Sequence, residues 1–148
     1  MHCLVKIGVL TPVQQYQRGT ILFIITKKEG TVRFITKYHR LNQKLVRKPY
    51  PLPKKVETMQ HLEEFQYATA LDINMGYYTI KLPPTSQGIK TIVTEFGKLK
   101  FNRLPMGMCT SGDIFQSKVD KLLRDITGVK TYIDDILVLS KQSFYKHI

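Results

Sequence analysis

The chain has 148 residues, of which 43% are hydrophobic and 23% charged, a composition typical of a globular domain. Its net charge is +12, and residues 1 to 56 hold twelve basic side chains against one acidic one. No apolar run approaches the ~20 residues of a membrane-spanning helix, and the two cysteines form neither a disulfide framework nor a metal-ligand spacing. The basic half indicates a phosphate-facing region, although a solvated face without a partner would carry the same charge.

The first part of the chain predicts one hairpin between two helical segments. Alternating prolines at positions 49, 51 and 53 favour extended backbone and exclude a helix there. The connection between the two hairpin strands contains Gly30, which suits a turn. The predicted elements are a short helix at 2–9, strands at 20–26 and 31–38, an irregular segment at 40–55 and a helix at 56–65.

The second part predicts more strands and one clear helix, at 112–126, where apolar side chains recur at helical spacing from Phe115 to Ile126. The other predicted elements are a strand at 67–73, a hairpin of 90–95 and 98–104 turning at Phe96-Gly97, strands at 129–133 and 136–140, and a helix beginning at Ser143. Because strands and helices do not alternate regularly, the predicted class is α+β, with helices covering one face of an antiparallel sheet.

Two adjacent acids, Asp134 and Asp135, separate the last two predicted strands. A two-residue connection forces a tight hairpin, which would carry both carboxylates at its tip. Such a pair is commonly just a solvated turn, because Asp favours turns for local hydrogen-bonding reasons. Here apolar strands would anchor the turn, and like charges held close together are costly unless cations neutralise them.

A third acid, Asp72, ends the strand predicted at 67–73. By itself it could equally serve as a helix cap or a turn residue. If its strand lies beside the acidic hairpin, three carboxylates meet at one sheet edge, and they form the hard-oxygen ligand set that Mg²⁺ prefers. Two such ions, roughly 3.5 to 4 Å apart, can activate an attacking hydroxyl and stabilise a leaving pyrophosphate.

Several sequence blocks occur in the order found in one family of polymerases. They are KKEGTVRF, HRLNQ with PYPLP, LDINMGYYTI, TEFGKLKFNRLPMGM, IFQ and YIDDILVLS. With these blocks the chain resembles the reverse transcriptases of gypsy-type long-terminal-repeat retrotransposons, and more distantly those of retroviruses. The resemblance implies the fingers and palm of a right-hand polymerase, with an antiparallel palm sheet packed on helices. It also implies RNA-directed DNA polymerase activity.

The resemblance assigns roles to the acids. Asp72 and Asp134 would bind two Mg²⁺ ions together with the backbone carbonyl of Ile73, and Asp135 would complete the cluster. Mn²⁺ could substitute for Mg²⁺. The implied reaction is in-line attack of a primer 3′-hydroxyl on the α-phosphate of a deoxynucleotide, in which positioning and charge neutralisation supply most of the catalysis.

Three residues match the part of the family's pocket that surrounds the nucleotide sugar and base. Tyr77 stands at the sugar gate, where an aromatic ring would clash with a 2′-hydroxyl, although an ordinary core tyrosine is the alternative. Met106 and Gly107 match the block that lines the nucleotide and template pocket. Gly107 would let the backbone approach a base or sugar closely, whereas a methionine at 106 could simply fill the core.

The hairpin predicted at 20–38 carries residues that match the family's triphosphate grip. Arg33 matches a phosphate-binding arginine, and either Lys27 or Lys28 matches a neighbouring lysine. Exposed hairpin charges with no ligand are the alternative. The chain departs from the family at Lys37, which stands where Asp is usual, and at His39, which stands where Arg is usual.

By the same resemblance, residues 1–148 form one partial reverse transcriptase domain. Residues 1 to about 66 would be mainly fingers and about 67 to 148 mainly palm, with part of the fingers inserted around 84–104. Thumb, connection and ribonuclease H parts would belong to a larger polyprotein beyond this chain. The expected partners are an RNA or DNA template with its primer and deoxynucleoside triphosphates, with no membrane, inside the cell in the cytoplasm or nucleus.

Two competing interpretations remain open. The chain could be a degenerate, catalytically inactive retrotransposon fragment that only binds nucleic acid, which the basic residues 1 to 56 would explain. A basic protein of the ribosomal type would also explain the charge, but it would not explain the acidic hairpin.

Overall fold

The computed structural model describes residues 1–15, 19–26, 30, 32–52, 65–141, 143 and 147, without the side chain of Arg33. Residues 56–64 of the helix predicted at 56–65, and most of the helix predicted from Ser143, lie outside these residues, and the described Phe65 is not helical. The chain forms two compact units. The first consists of Met1–Arg47 and Tyr77–Ser111, and the second of Lys48–Gly76 and Gly112–Ile148.

Short strands and helices make up both units, as the α+β class predicts. In chain order the elements are α1 (His2–Lys6), β1 (Leu10–Pro12), β2 (Gly19–Thr26), β3 (Val32–Thr36), α2 (His39–Asn42), β4 (Tyr67–Asp72), a 3₁₀ helix (Gly76–Thr79), α3 (Pro84–Gln87), β5 (Thr91–Thr94), β6 (Gly97–Phe101), α4 (Ser111–Leu123), β7 (Val129–Tyr132) and β8 (Asp135–Ser140). No helix among the described residues is long and apolar enough to cross a membrane.

The first unit contains a five-stranded sheet with the order β1-β6-β5-β2-β3. Its pairings are antiparallel except that of β2 with β5, which is parallel. The prediction of an antiparallel sheet is therefore wrong at this one pairing. A long connection separates β2 from β5, and a long connection can bring two strands together in parallel, which a tight turn cannot do.

The predictions for the start of the chain need three corrections. The first helix ends at Lys6, and the unpredicted strand β1 follows it. Strand β3 ends at Thr36, two residues before the predicted end. A short helix, α2, overlaps the start of the segment predicted to be irregular, because the prolines that exclude a helix begin only at position 49.

Large side chains from several strands form the core of the first unit. Ile92 of β5 is fully buried, and Phe101 of β6 and Tyr38, just before α2, are nearly so. The ring of Tyr78 stacks on that of Phe101, with 6.3 Å between their centroids. Burial of these rings and aliphatic chains removes apolar surface from water, which is the main stabilising contribution to such a unit.

The second unit contains a three-stranded antiparallel sheet with the order β4-β8-β7. Helix α4 supplies the buried side chains Phe115 and Val119. The helix was predicted to reach residue 126, but it ends at Leu123. Leu122 and Ile126 are mostly exposed, so only the first part of the apolar stripe is buried. A stripe that meets no partner contributes little to holding a helix together.

The turn of the last hairpin lies one residue earlier than predicted. Tyr132 and Asp135 are Cα partners, so the two connecting residues are Ile133 and Asp134, and Asp135 is already part of β8. In the hairpin of β5 and β6 the turn likewise lies at Glu95-Phe96, and Gly97 begins β6. In both cases the pairing register decides which residues turn, and composition alone does not reveal the register.

Candidate active site

Strand pairing in the second unit brings two of the predicted acids together. Asp72 is the last residue of β4 and Asp135 the first residue of β8, and the two are Cα partners. Directly opposite residues of an antiparallel pair project from the same face of the sheet. Both acids, with Tyr132 beside them, line an open cavity of about 310 Å³.

The third acid, Asp134, lies in the turn between β7 and β8. The Ile73 N–H donates a hydrogen bond of 2.8 Å to the Asp134 carbonyl oxygen. This bond continues the β4–β8 pairing beyond Asp72 and holds the end of β4 against the turn. One carboxylate oxygen of Asp134, Oδ1, is buried from solvent. The structure thus places Asp72, Asp134 and Asp135 at one end of one sheet.

The turn that carries Asp134 has a strained backbone. Ile133, its first residue, has φ of +54°, in the left-handed region that β-branched residues rarely adopt. A positive φ at the first of two turn residues is the sign pattern of a type II′ turn, which normally has glycine there. Such a conformation costs about 1–3 kcal/mol and persists only where the surroundings enforce it.

Gln116 of α4 helps to hold Ile133 in this conformation. Its side chain is fully buried, and its Oε1 accepts a 2.6 Å hydrogen bond from the Ile133 N–H. Sequence analysis did not single out Gln116, although it stands in the IFQ block. The available signal was a polar residue next to Phe115 on the helix face predicted to be buried, because a buried amide needs specific partners.

The donor atoms of the three acids suit a divalent metal ion, although their side chains do not form a compact cluster. Among the described residues, no three His, Cys, Asp or Glu side chains are arranged so that they could hold a metal ion. Carboxylates repel one another, so close grouping requires a cation between them. Three carboxylates and the Ile73 carbonyl are nevertheless hard oxygen donors, and these are the ligands that Mg²⁺ prefers.

Of the residues predicted to bind the nucleotide, Ile73 follows β4 in the second unit, and the others belong to the first unit where they are described. Tyr77 is half-buried in the 3₁₀ helix, Met106 is half-buried, and Gly107 is exposed. Arg33 pairs with Ile25 in the β2–β3 ladder. Lys27 and Lys28 lie outside the described residues.

Gly107 has a structural requirement of its own. Its φ is +93°, and a Cβ at this position would lie 2.4 Å from the Thr36 carbonyl oxygen. Asn42 of α2 fastens the same loop: its Nδ2 donates to the Gly107 carbonyl, and its Oδ1 accepts from the Cys109 N–H, each at 3.0 Å. Asn42 was not among the predicted site residues, since this role depends on contacts 65 and 67 residues away along the chain.

A larger cavity of about 640 Å³ lies within the first unit, and its walls are basic and apolar. Lys37, His39 and Arg40 line it together with Phe23, and the Lys37 ammonium lies 5.9 Å from the centre of the Phe23 ring. That distance is within the range of a cation–π contact. Lys37 and His39, the two positions where the sequence departs from the expected pattern, therefore line a single cavity. A lysine in place of aspartate makes the cavity more basic, whereas a histidine in place of arginine makes it less basic.

Comparison with known proteins connects this arrangement to one family. Residues 25–147 match the family model described as reverse transcriptase (RNA-dependent DNA polymerase). The retrovirus-related Pol polyprotein from transposon opus of Drosophila melanogaster is 31% identical over 145 residues, covering 93% of this chain and 14% of the polyprotein. The corresponding polyprotein from transposon gypsy of the same organism is 29% identical over 148 residues, with the same coverage of both chains.

A solved structure shows the same likeness in three dimensions. The foamy viral protease-reverse transcriptase in complex with an RNA/DNA hybrid is 25% identical and matches with a TM-score of 0.86. The match covers 97% of this chain and 19% of the viral one. This chain thus spans only about a seventh to a fifth of the length of these proteins.

Proposed function

Because this chain belongs to the reverse transcriptase family, whose fingers-and-palm fold it has, we propose that it carries the catalytic part of an RNA-directed DNA polymerase. The reaction is the addition of a deoxynucleotide to the 3′-hydroxyl of a primer. The observation that carries the proposal is the β4–β8 register, which sets Asp72 opposite Asp135 with Asp134 in the adjoining turn.

Enzymes of this family use divalent metal ions. In this chain the carboxylates of Asp72, Asp134 and Asp135, with the Ile73 carbonyl, would hold two Mg²⁺ ions, for which Mn²⁺ can substitute. When bound, such ions lower the pKa of an attacking hydroxyl and neutralise charge on the phosphates. The residues themselves place three negative charges at one end of a sheet. The Ile133 N–H donates to the Gln116 Oε1 and the Ile73 N–H donates to the Asp134 carbonyl oxygen, and these two hydrogen bonds limit the movement of the turn.

We assign the remaining predicted residues to the incoming nucleotide. Arg33, with Lys27 or Lys28, binds the triphosphate, since guanidinium and ammonium groups suit phosphate oxygens. The Tyr77 ring packs against the sugar and excludes a nucleotide that has a 2′-hydroxyl. Met106 and Gly107 border the base, in a loop whose shape Asn42 maintains. The first unit is accordingly assigned mainly to the fingers and the second mainly to the palm.

The template and primer are the proposed macromolecular partners. The solved relative binds an RNA/DNA hybrid. In this chain the basic excess of residues 1 to 56, a net charge of +11, suits a phosphate backbone, and the basic cavity of the first unit lies in this part of the chain. These substrates place the proposed activity inside the cell, in the cytoplasm or nucleus. The relatives are several times longer, so we propose that thumb and ribonuclease H parts of a polyprotein act with this one.

A single-nucleotide extension assay tests the function without requiring processive synthesis. The chain is incubated with an RNA template, a DNA primer, one deoxynucleotide and Mg²⁺, and the extended primer is separated on a gel. We expect extension that Asp134→Asn abolishes and that the matched variant Asp125→Asn leaves intact, because Asp125 is exposed beyond the end of α4. Extension that survives Asp134→Asn would contradict the assignment of the acids.

The second candidate function is nucleic-acid binding without catalysis. The basic excess of residues 1 to 56 favours it, because this charge suits a phosphate backbone whether or not the acids act in catalysis. It predicts salt-sensitive binding of the primer–template with no extension in Mg²⁺ or Mn²⁺. The same assay, run beside a filter-binding measurement, separates the two functions.

A further inference from the structure

We propose that Asp120 is a positioning residue that acts through the Gln116 amide to hold the Ile133-Asp134 turn in its strained conformation. The inference rests on the proposed polymerase function and deepens it, because this turn presents the catalytic acids. Asp120 touches neither the acids nor the substrates of the proposed reaction. Its effect passes through two hydrogen-bonded neighbours, Gln116 and Thr131.

Gln116 and Asp120 lie one turn apart on α4, where side chains four residues apart are neighbours. The Gln116 Nε2 donates to the Asp120 Oδ1 at 2.7 Å and to the Thr131 Oγ1 at 2.9 Å. Its Oε1 accepts from the Ile133 N–H at 2.6 Å. A single fully buried amide therefore links the helix, strand β7 and the turn.

The chemistry of these partners permits only one orientation of the amide. A carboxylate can only accept hydrogen bonds, and a backbone N–H can only donate one. The Gln116 nitrogen must therefore face Asp120, and its oxygen must face Ile133. The reversed amide would place an oxygen against the carboxylate and an N–H against the Ile133 N–H, and both buried contacts would be lost.

The Thr131 hydroxyl closes the network. It donates a 2.5 Å hydrogen bond to the Asp120 Oδ1 while it accepts from Gln116. Thr131 lies on β7, two residues before Ile133. Asp120 therefore hydrogen-bonds both the strand that leads into the turn and the Gln116 amide that binds the turn. Hydrogen bonds to an ionised acceptor are stronger than those between neutral groups. The Asp120 carboxylate is therefore the strongest acceptor in the network of Gln116, Thr131 and Asp120.

Strain in the turn explains why such an anchor is needed. Ile133 has φ of +54°, a conformation that the turn would leave if its N–H were released. A relaxed turn would shift the Asp134 carboxylate and carbonyl together, and displacements of about 1 Å can cost roughly 100-fold in rate. The expected consequence is a loss of kcat with little change in KM, since the residues proposed to bind the nucleotide belong to the other unit.

Two kinetic variants test this expectation in the extension assay. Asp120→Ala should lower kcat by roughly 10- to 100-fold, the usual effect of removing a group that orients catalytic residues. Asp120→Asn keeps an acceptor oxygen and should recover most of that loss. The matched control, Asp125→Ala, removes an exposed carboxylate just beyond the same helix and should leave kcat unchanged. A kcat that is equal in Asp120→Ala and the native chain would overturn the inference.

Amide hydrogen exchange at Ile133, measured by NMR on the 148-residue chain, provides a readout that needs no activity. Exchange should be slow in the native chain and in Asp120→Asn, and at least tenfold faster in Asp120→Ala. If Asp120→Ala does not fold, Thr131→Val removes the hydroxyl that donates to Asp120 and accepts from Gln116, and it should accelerate exchange in the same way. Unchanged protection of Ile133 in a folded Asp120→Ala or Thr131→Val chain would refute the proposal.

The two readouts distinguish a failure of this inference from a failure of the proposed function. If no chain extends a primer but Asp120→Ala still exposes the Ile133 amide, the polymerase function fails and the positioning by Asp120 stands. If Asp134→Asn abolishes extension while Asp120→Ala changes neither kcat nor exchange, the polymerase function stands and the positioning fails.

Discussion

Asp72 at the end of β4 and Asp135 at the start of β8 are Cα partners in an antiparallel ladder. The ladder continues through six successive pairs, from Tyr67 opposite Ser140 to Asp72 opposite Asp135, so a shift of one residue would break every pair. Because such a shift also turns each side chain to the other face, the register itself determines that these two acids share a face.

The first prediction is that Asp72 and Asp135 bind the same metal ion. Asp72→Asn and Asp135→Asn should each weaken Mn²⁺ binding, measured by electron paramagnetic resonance, by at least roughly tenfold. A unit charge about 4 Å away contributes several kcal/mol even at an effective dielectric constant of about 20. The double variant should lose less than the sum of the two, since both side chains act on the same ion. Strictly additive losses, or a loss in the exposed control Asp125→Asn, would contradict a shared site.

The strained turn leads to a prediction about stability. Ile133→Gly should leave the free energy of unfolding within about 1 kcal/mol of the native value, because glycine adopts positive φ without strain and this offsets the lost side-chain contacts. The matched variant Ile136→Gly, in strand β8, gains no such relief and should lose about 2 kcal/mol or more. Urea denaturation measures both. Equal losses would show that Ile133 carries no strain.

Gly107 should not tolerate a side chain. Gly107→Ala places a Cβ 2.4 Å from the Thr36 carbonyl oxygen at φ of +93°, so we expect a loss of about 2 kcal/mol or more in stability. Gly88→Ala is the matched control, since nothing lies within 4 Å of its Cβ and its φ is −60°. That variant should be stabilised by about 0.4–1 kcal/mol through the unfolded chain. A stable Gly107→Ala would mean that the loop does not pack on β3 as described.

Lys90 should make the free energy of unfolding depend on pH in the alkaline range. Its side chain is only 6% exposed, and burial lowers the pKa of its ammonium group. Between that lowered value and the ordinary lysine pKa of about 10.4, the unfolded chain binds more protons than the folded one, so stability rises with pH across this window. Below this window Lys90 is charged in the folded chain, and burying that charge lowers the free energy of unfolding by its full amount.

Lys90→Met should therefore raise stability at neutral pH, and the gain should shrink as the pH approaches 10.4. Urea denaturation at several pH values measures it, with the exposed Lys121→Met as the control. Burial raises the pKa of Tyr38 and gives an opposing slope above about pH 10, but that contribution cancels when variants are compared at the same pH. A gain that did not change with pH would indicate better packing rather than loss of a buried charge.

Sugar selection tests the role proposed for Tyr77. Tyr77→Ala should raise the incorporation of ribonucleotides relative to deoxynucleotides by roughly tenfold or more, since removing one clash of about 1.4 kcal/mol changes a rate ratio tenfold. Tyr77→Phe keeps the ring and should retain the native preference. Competing single-nucleotide extensions provide the ratio. An unchanged ratio in Tyr77→Ala would show that Tyr77 is an ordinary half-buried tyrosine with no part in sugar selection.

Local signals in the sequence were enough to predict most of the helices and strands. The short apolar run in TILFIIT and the apolar spacing from Phe115 onward predicted strand β2 and helix α4 at nearly their observed bounds. The family blocks, read in order, predicted the family and the fingers-and-palm fold. These signals are available because periodicity and turn chemistry act over a few residues and need no knowledge of what lies opposite.

Long-range pairing accounts for the errors. The parallel pairing of β2 with β5 and the placement of Asp135 in β8 rather than in the turn both depend on which strands meet and in which register. Loop closure and side-chain packing decide these questions together, and no local window contains the answer. The predicted roles of Arg33, Tyr77, Met106 and Gly107 stay predictions that activity measurements can settle.

By itself the sequence determined the three acids, their order along the chain and the basic charge of residues 1 to 56. The tertiary structure alone decided that Asp72 and Asp135 lie opposite each other, and that the buried Gln116 amide hydrogen-bonds both Asp120 and the Ile133 N–H of the adjoining turn. The reason is physical. Charge and composition belong to each residue separately, whereas a hydrogen bond between a helix and a turn exists only after the chain has folded and both partners have left water.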